Sequence, residues 1–275
     1  MLRPAFGHAA EREARDLVAA VLEQPRHWPS TSAATRLGEV EQGRVLAAAA
    51  RRRAGAPLAY AVGTAAFRHL LLGVDERVLI PRPETEYLID VVLGTPQGKG
   101  GGLAVDIGTG SGAIALALAG EGPFSRVVAT DISNDALAVA RANAARCASS
   151  LRCSVEFRAG DALAPLHDMA HEVDAIVSNP PYIAFAEARE LPPSVRDWEP
   201  PQALICPEDG MAVSGVIVAG GWKLLRPGGL LAFETDARRA GRLADLVRRH
   251  GAYEDVRVIP DLAGRDRFVL ATRRS

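Results

Sequence analysis

From Leu103 onward, seven short apolar runs alternate with stretches long enough for a helix: Leu103–Ile107, Arg126–Thr130, Ser154–Arg158, Asp174–Ser178, Gly229–Glu234, Asp255–Ile259 and Arg267–Thr272. Strands that alternate with helices predict a parallel sheet covered on both faces. The last pair departs from that pattern. The connection from Pro260 to Asp266 is too short for a parallel crossover, which needs about a dozen residues, so the final strand is expected to run antiparallel. A six-stranded, wholly parallel dinucleotide-binding sheet does not end in this way.

Upstream, Ala14, Leu17, Val18, Val21 and Leu22 recur at helical spacing between Glu11 and Glu23, and a second helical stretch is predicted over Gly38–Arg53. Phe67–Ile80 contains two β-favouring runs around Gly73 and the Asp75-Glu76 pair, and reads as a hairpin closed by Pro81-Arg82-Pro83. The expected organisation is a small helical unit over 1–62, a β-hairpin joint over 63–82 and a larger α/β domain over 83–275. At 275 residues, 48% hydrophobic and 24% charged, the chain has enough apolar material for such a core and is not of disordered type.

Lys plus Arg number 32 against 33 Asp plus Glu, so there is no overall charge to draw the chain to nucleic acid or to anionic lipid. Neither nucleic acid nor membrane is expected as a direct partner. Cys147, Cys153 and Cys206 are odd in number and show no C-x-x-C spacing, which argues against a disulfide framework or a zinc knuckle and fits a reducing compartment. His167 and His171 are four apart, as metal ligands can be, but no third ligand accompanies them, and no metal is expected. The N-terminus carries Arg3, Glu11, Arg12, Glu13, Arg15 and Asp16 in place of the apolar run of a signal peptide. No later segment reaches the ~18 apolar residues of a membrane span, so a cytoplasmic location is expected.

The first predicted strand runs into Asp106-Ile-Gly108-Thr109-Gly110-Ser111-Gly112, with a helix beginning near Ala113. Glycines let backbone approach a ligand, and the helix start offers unpaired N–H groups. The spacing Gly108-x-Gly110-x-x-Ala113 also satisfies the dinucleotide fingerprint, so the loop alone does not choose between NAD and S-adenosylmethionine. Two further acids narrow the choice. Asp131 ends the second strand, where a carboxylate can accept both ribose hydroxyls, and Asp161 follows the third, where it can meet an adenine amino group. With Asp106 at the mouth of the loop, this set would repel a pyrophosphate and tolerate a sulfonium and ammonium ligand. The blander alternatives are that Asp131 caps the helix near Asn134 and that Asp161 caps a turn.

The fourth strand ends in Ser178-Asn179-Pro180-Pro181-Tyr182, at the carboxyl edge where ligand sites of α/β sheets gather. Two prolines stiffen the segment and remove donors. The Asn179 side-chain oxygen and the Pro180 carbonyl can then accept the two hydrogens of a planar NH₂ group while the Tyr182 ring packs on its face. Holding a weakly nucleophilic nitrogen against an electrophilic methyl is a matter of positioning, with no histidine base or metal required. A rigid strand-to-loop turn is the structural alternative.

These residues closely resemble the release-factor glutamine N5-methyltransferases (HemK-type). The likeness rests on Pro57-Leu-Ala-Tyr60 with Gly63 and Phe67, Val78-Leu-Ile-Pro-Arg-Pro-Glu-Thr-Glu86, Asp106–Gly112, Asp131, Asn179–Tyr182, and Glu199-Pro-Pro-Gln-Ala-Leu204 with Asp209-Gly210. It implies a class I S-adenosylmethionine-dependent methyltransferase fold, a Rossmann-like seven-stranded mixed sheet. The reaction it implies is methylation of the side-chain amide of the glutamine in a Gly-Gly-Gln motif of peptide-chain release factors, with the helical unit helping to dock that partner. Carried over residue by residue, it implies cofactor contacts from Asp106, Gly108, Thr109, Gly110, Ser111, Gly112, Asp131, Asp161, Ala162 and Asn179. It also implies that Asn179, Pro180, Pro181 and Tyr182 hold the amide, with Arg82, Glu84 and Glu86 lining the site or pairing with one another. Phe67 is placed either in the pocket wall or in the hairpin core, and Trp198 either as a lid or as an anchor.

Two departures stand out: Ala162 replaces the aromatic residue that often follows the third-strand acid, and Glu234-Thr-Asp236-Ala-Arg-Arg239 replaces the usual Glu-x-Gly-x-x-Gln. Methylation of a ribosomal-protein glutamine, methylation of an adenine amine, and a catalytically silent binding module are the competing functional readings.

Overall fold

The computed structural model describes residue 2, residues 7–32 and residues 34–275; Arg3 of the charged N-terminus lies outside the described residues. Helices Ala10–Val21 and Glu39–Arg53 pack against each other through Leu17, Val21, Ala48 and Ala49. The second begins where the Gly38 N–H donates to Glu41 Oε2 at 2.9 Å, which satisfies one of the orphan donors of the first turn. Arg44 donates to the Val21 carbonyl at 2.8 Å and Arg52 to Glu13 at 2.5 Å, tying the pair together.

The hairpin differs from the sequence expectation. Its strands are β1 (Thr64–Phe67) and β2 (Leu70–Gly73), antiparallel, and Val78–Ile80 forms no strand. The turn falls at Arg68-His69 because Arg68 adopts φ 53° and is pinned there: its guanidinium donates to both Glu121 oxygens at 2.6 Å and to the Glu86 carbonyl at 2.9 Å. Gly73 ends β2, and its N–H and C=O both engage the Asn143 side-chain amide, at 2.7 and 3.0 Å. This joins the hairpin to the larger unit. Phe67 is fully buried in the core, not in a pocket wall. Trp198 packs with Tyr60, Val74, Val78 and Ile80, as an anchor.

The seven expected strands all form: β3 (Leu103–Ile107), β4 (Arg126–Asp131), β5 (Ser154–Ala159), β6 (Val173–Ser178), β7 (Leu225–Glu234), β8 (Tyr253–Pro260) and β9 (Asp266–Arg273). Their order is β5-β4-β3-β6-β7-β9-β8, with β9 antiparallel to both β7 and β8. The sheet's core strands β3 and β6 are buried at every position, as expected of strands covered on both faces. Helix Ala113–Glu121 is apolar nearly all round and is buried from Ala113 to Ala119. Two clusters lie on opposite faces, one around Leu88, Leu116 and Phe268, the other around Ile176, Leu243 and Tyr253. From β3 the chain moves to β4 and β5 on one side, then returns to β6 on the other. The switch point therefore lies between β3 and β6, where the crevice of a doubly wound sheet opens.

Candidate active site

At that switch point a cavity of about 320 Å³ is lined by residues from the carboxyl ends of β3, β4, β5 and β6. Gly108 and Gly110 form one wall. Both have positive φ, 75° and 55°, and a Cβ on either would meet no protein atom within 4 Å. The Gly108 and Thr109 N–H groups both donate to the Thr130 carbonyl at 2.9 Å, so the loop turns back over β4. Ser178 Oγ donates to the Ile107 carbonyl at 2.7 Å and locks β6 to β3 beneath the cavity.

Asp131 lines the cavity, and each of its oxygens accepts one backbone N–H: Oδ2 from Gly110 and Oδ1 from Ser133, both at 2.9 Å. Burial pushes its carboxyl up from the usual range, and the N–H donors of Ser133 and Gly110 pull against that. Ser133, not Asp131, caps the following helix, accepting from the Ala136 N–H at 3.1 Å. Asp161 lines the cavity next to Gly160, and Ala162 beside it adopts φ 43°.

Asp106 lies beneath the loop and does not line the cavity. It is fully buried; Oδ2 accepts from Thr109 Oγ1 at 2.6 Å and from the Ala115 N–H at 3.1 Å, and Oδ1 has no partner among the described residues. Burial raises its carboxyl to about 7 against those two donors, and the nearby Asp131 charge adds to the rise. Thr109, Ser111 and Gly112 are buried behind the loop face. The Ser111 carbonyl is held by Asn143 Nδ2 at 2.8 Å.

Asn179, Pro180 and Pro181 form the opposite wall. Asn179 and Leu79 also border a second, smaller cavity of about 160 Å³, which Tyr182, Arg82, Leu191 and Val195 help to enclose. Asn179 thus stands at the junction of the two spaces. Its Nδ2 donates to Thr85 Oγ1 at 3.2 Å, and among the described residues no donor reaches its Oδ1 or the Pro180 carbonyl. Both acceptors the sequence singled out are available. The Tyr182 side chain is half-buried; desolvation pushes its phenol up to about 12, with the Glu234 charge contributing, so it stays neutral.

Arg82 pairs with Glu199 at 2.6 Å. Glu84 lines neither cavity and reaches Arg265 at 3.5 Å; Glu86 accepts from the Arg68 N–H at 3.1 Å. His167 and His171 are exposed, and among the described residues no three metal-ligating side chains gather.

Sequence reasoning missed three parts of the site. Ile132, 64% exposed although large and apolar, lines the cavity beside Asp131 and supplies apolar surface that Ala162 does not. The segment Gln202–Pro207 closes the cavity from above, held by the Ile183 N–H to Leu204 carbonyl bond at 2.9 Å and the Cys206 N–H to Ile183 carbonyl bond at 2.8 Å. Thr85, in the first turn of helix Pro83–Leu93, contacts Asn179 directly. An isolated apolar residue after a strand-end acid was a readable signal for the first; the other two depend on contacts distant in sequence.

The lining fits S-adenosylmethionine. Open space above two positive-φ glycines admits a ligand against the backbone. The lining acids Asp131 and Asp161 suit a cationic ligand. Arg77, also in the lining, is paired with Asp75 at 2.6 and 2.8 Å.

Comparison with known proteins agrees. Residues 85–191 match the model of the methyltransferase small domain family. The release factor glutamine methyltransferase of Moorella thermoacetica is 42% identical over 99% of this chain and 99% of its own length. That of Mycolicibacterium smegmatis is 42% identical over 96% of each. This chain belongs to the release factor glutamine methyltransferase family. Family membership makes it an S-adenosylmethionine-dependent methyltransferase.

Solved structures support the fold. A methyltransferase from Pyrococcus furiosus superposes with a TM-score of 0.55 at 20% identity, over 86% of this chain and all of that one. The T. thermophilus 16S rRNA N2 G1207 methyltransferase, solved with AdoMet and guanosine, gives 0.52 at 19% identity, over 77% of this chain and 50% of that one. The mixed sheet with its reversed last strand is therefore the class I methyltransferase fold in a member of the release factor glutamine methyltransferase family.

The two departures from the family pattern noted in the sequence have different structural consequences. Ala162 leaves its side of the cavity without a ring. Arg239 has become a buried junction: it donates to the Asp209 carbonyl and to Glu187 at 2.5 Å and to Asp236 at 2.6 Å, with its side chain 4% exposed. It fastens the segment that follows Tyr182 to the end of the sheet.

Proposed function

We propose that this enzyme transfers a methyl group from S-adenosylmethionine to the side-chain amide nitrogen of the glutamine in the Gly-Gly-Gln motif of peptide-chain release factors. The observation that carries this reading is the position of Asn179 between a cofactor-sized cavity and a smaller one, with two acceptors free on a proline-stiffened segment. The bound cofactor supplies an electrophilic methyl carbon on a sulfonium.

The protein's residues supply position. Asn179 Oδ1 and the Pro180 carbonyl accept the two N–H hydrogens of the carboxamide, fixing the plane of the group, and neutral Tyr182 contributes an apolar face. As the N–C bond forms, the C–S bond breaks and S-adenosylhomocysteine leaves as the neutral thioether. The nitrogen becomes acidic only then and loses one proton to solvent, so orientation, not proton removal, is the main contribution. Asp131 and Asp161 would hold the nucleoside, and Gly108 and Gly110 would bring the loop backbone close to it. Arg82 helps to wall the smaller cavity while held by Glu199.

On this reading residues 1–62 are the docking unit for the release factor, 63–82 the joint and 83–275 the catalytic domain. Among the described residues no helix is long and apolar enough to cross a membrane; we place the enzyme in the cytoplasm with its partner. Incubating the protein with labelled cofactor and, side by side, a release factor, ribosomal proteins and DNA tests the assignment. Label on the release factor is expected, and label on ribosomal protein or DNA alone would overturn it.

A further inference from the structure

Glu234 ends β7 with its side chain buried to 1% exposure, and Thr85 opens helix Pro83–Leu93 at 4% exposure. The Thr85 hydroxyl oxygen accepts from Asn179 Nδ2 at 3.2 Å, and its side chain neighbours the Glu234 carboxylate, whose pKa it lowers. A threonine hydroxyl owns one hydrogen. When that hydrogen is donated to a carboxylate, which can only accept, the oxygen is left to accept from Asn179. The Asn179 amide then has one allowed orientation, NH₂ toward Thr85 and Oδ1 toward the substrate space. The opposite orientation would set one NH₂ against another.

We propose that Thr85 is a positioning residue for methyl transfer: with its hydroxyl hydrogen directed to Glu234, it selects the Asn179 rotamer whose Oδ1 accepts from the substrate carboxamide. This rests on the functional reading above and adds to it the source of the Asn179 orientation.

The relay has a pH dependence. Burial pushes the Glu234 carboxyl up to about 7; Arg267 and Arg82 pull it down, Glu84 pushes it up, and the Tyr182 phenol beside it is neutral throughout. Above that range the carboxylate only accepts and the orientation is enforced. Below it the acid donates as readily as it accepts, and the constraint on Thr85 is released. Turnover therefore falls on the acid side.

The test combines kinetics at saturating cofactor with the side-chain amide NMR signals of Asn179 in the full-length protein. Thr85→Val keeps the shape and removes the hydroxyl. It is expected to lower kcat roughly tenfold to a hundredfold at pH 8, with cofactor affinity near wild type and Tm modestly lower, and to flatten the acid limb. Thr85→Ser restores the hydroxyl and is expected to recover most of the rate. Glu234→Gln is expected to abolish the acid limb. In wild type the Asn179 NH₂ signals are expected to shift with a midpoint near 7, and in Thr85→Val this titration disappears. Wild-type kcat, an unchanged acid limb and unchanged Asn179 signals in Thr85→Val would overturn the proposal. A wild-type protein that leaves release factors unmethylated while its Asn179 signals still titrate would sink the functional reading and uphold the positioning role.

Discussion

Arg82 and Glu199, 117 residues apart, form an ion pair of 2.6 Å in which the Glu199 side chain is 1% exposed and the Arg82 side chain 32%. Glu199 also receives the Ile80 N–H at 3.4 Å, so one buried carboxylate ties the chain before helix Pro83–Leu93 to the segment covering the site. Removing one partner of such a pair costs more than the pair contributes, because the remaining charge stays buried. Arg82→Ala is therefore expected to destabilise the protein by about 2 kcal/mol, and Arg82→Ala with Glu199→Gln by less. Urea unfolding of the three proteins measures this; equal losses in the single and double variants would contradict it.

Arg239 joins three acceptors on three separate stretches of chain, and its position shows why the departure from the family pattern is tolerated. Burial pushes the Glu187 carboxyl up, but the Ala184 N–H, Arg238 and Arg239 outweigh it and bring it down to about 2, so the contact persists through the working pH range. Next to it, Gly210 adopts φ 80° where a Cβ would collide with the Tyr182 carbonyl. Arg239→Gln is expected to lower stability by about 1–3 kcal/mol and to speed hydrogen exchange across 183–210. Lysine, with a single point of charge, is not expected to replace it. Unchanged exchange in that segment would refute the fastening role.

Gly108 meets nothing that a side chain would displace except whatever fills the cavity. Gly108→Val is expected to weaken cofactor affinity at least tenfold by strain at φ 75° and by occupying the site, while a release factor binds as before. Calorimetric titration with S-adenosylhomocysteine checks this, and wild-type affinity would show that the ligand lies elsewhere.

The strand pattern, the reversed last strand and the glycine loop were legible because each follows from local periodicity and chain length. The Asn179–Tyr182 segment was legible for the same reason: two prolines impose their stiffness wherever they stand. The hairpin register was not, since it depends on Arg68 finding Glu121 and Glu86, and nothing near Arg68 in sequence announces those partners. Asp106 marked the loop correctly as acidic, but which way its carboxylate turns is decided by Thr109 Oγ1 and the Ala115 N–H. Thr85 and Glu234 reach Asn179 across long sequence separations, a relation visible only once β6 and β7 lie side by side.

Asp106 also makes a prediction about stability. Its folded carboxyl is raised to about 7, so its stabilising contribution is complete below the ordinary carboxylate range and is lost as pH rises through about 7. Asp106→Asn is neutral at every pH. Its Tm relative to wild type is therefore expected to rise between pH 5 and pH 8 without ligand; a constant difference across that range would mean that Asp106 is charged and solvated in the fold.

The most direct test of the central claim is mass spectrometry of a release factor treated with S-adenosylmethionine and either wild-type enzyme or Asn179→Ala. Wild type is expected to add one methyl group, located by fragmentation on the Gly-Gly-Gln glutamine. Asn179→Ala is expected to be slower by roughly a hundredfold or more with cofactor affinity little changed. A methyl group on any other residue, or undiminished transfer by Asn179→Ala, would contradict the account.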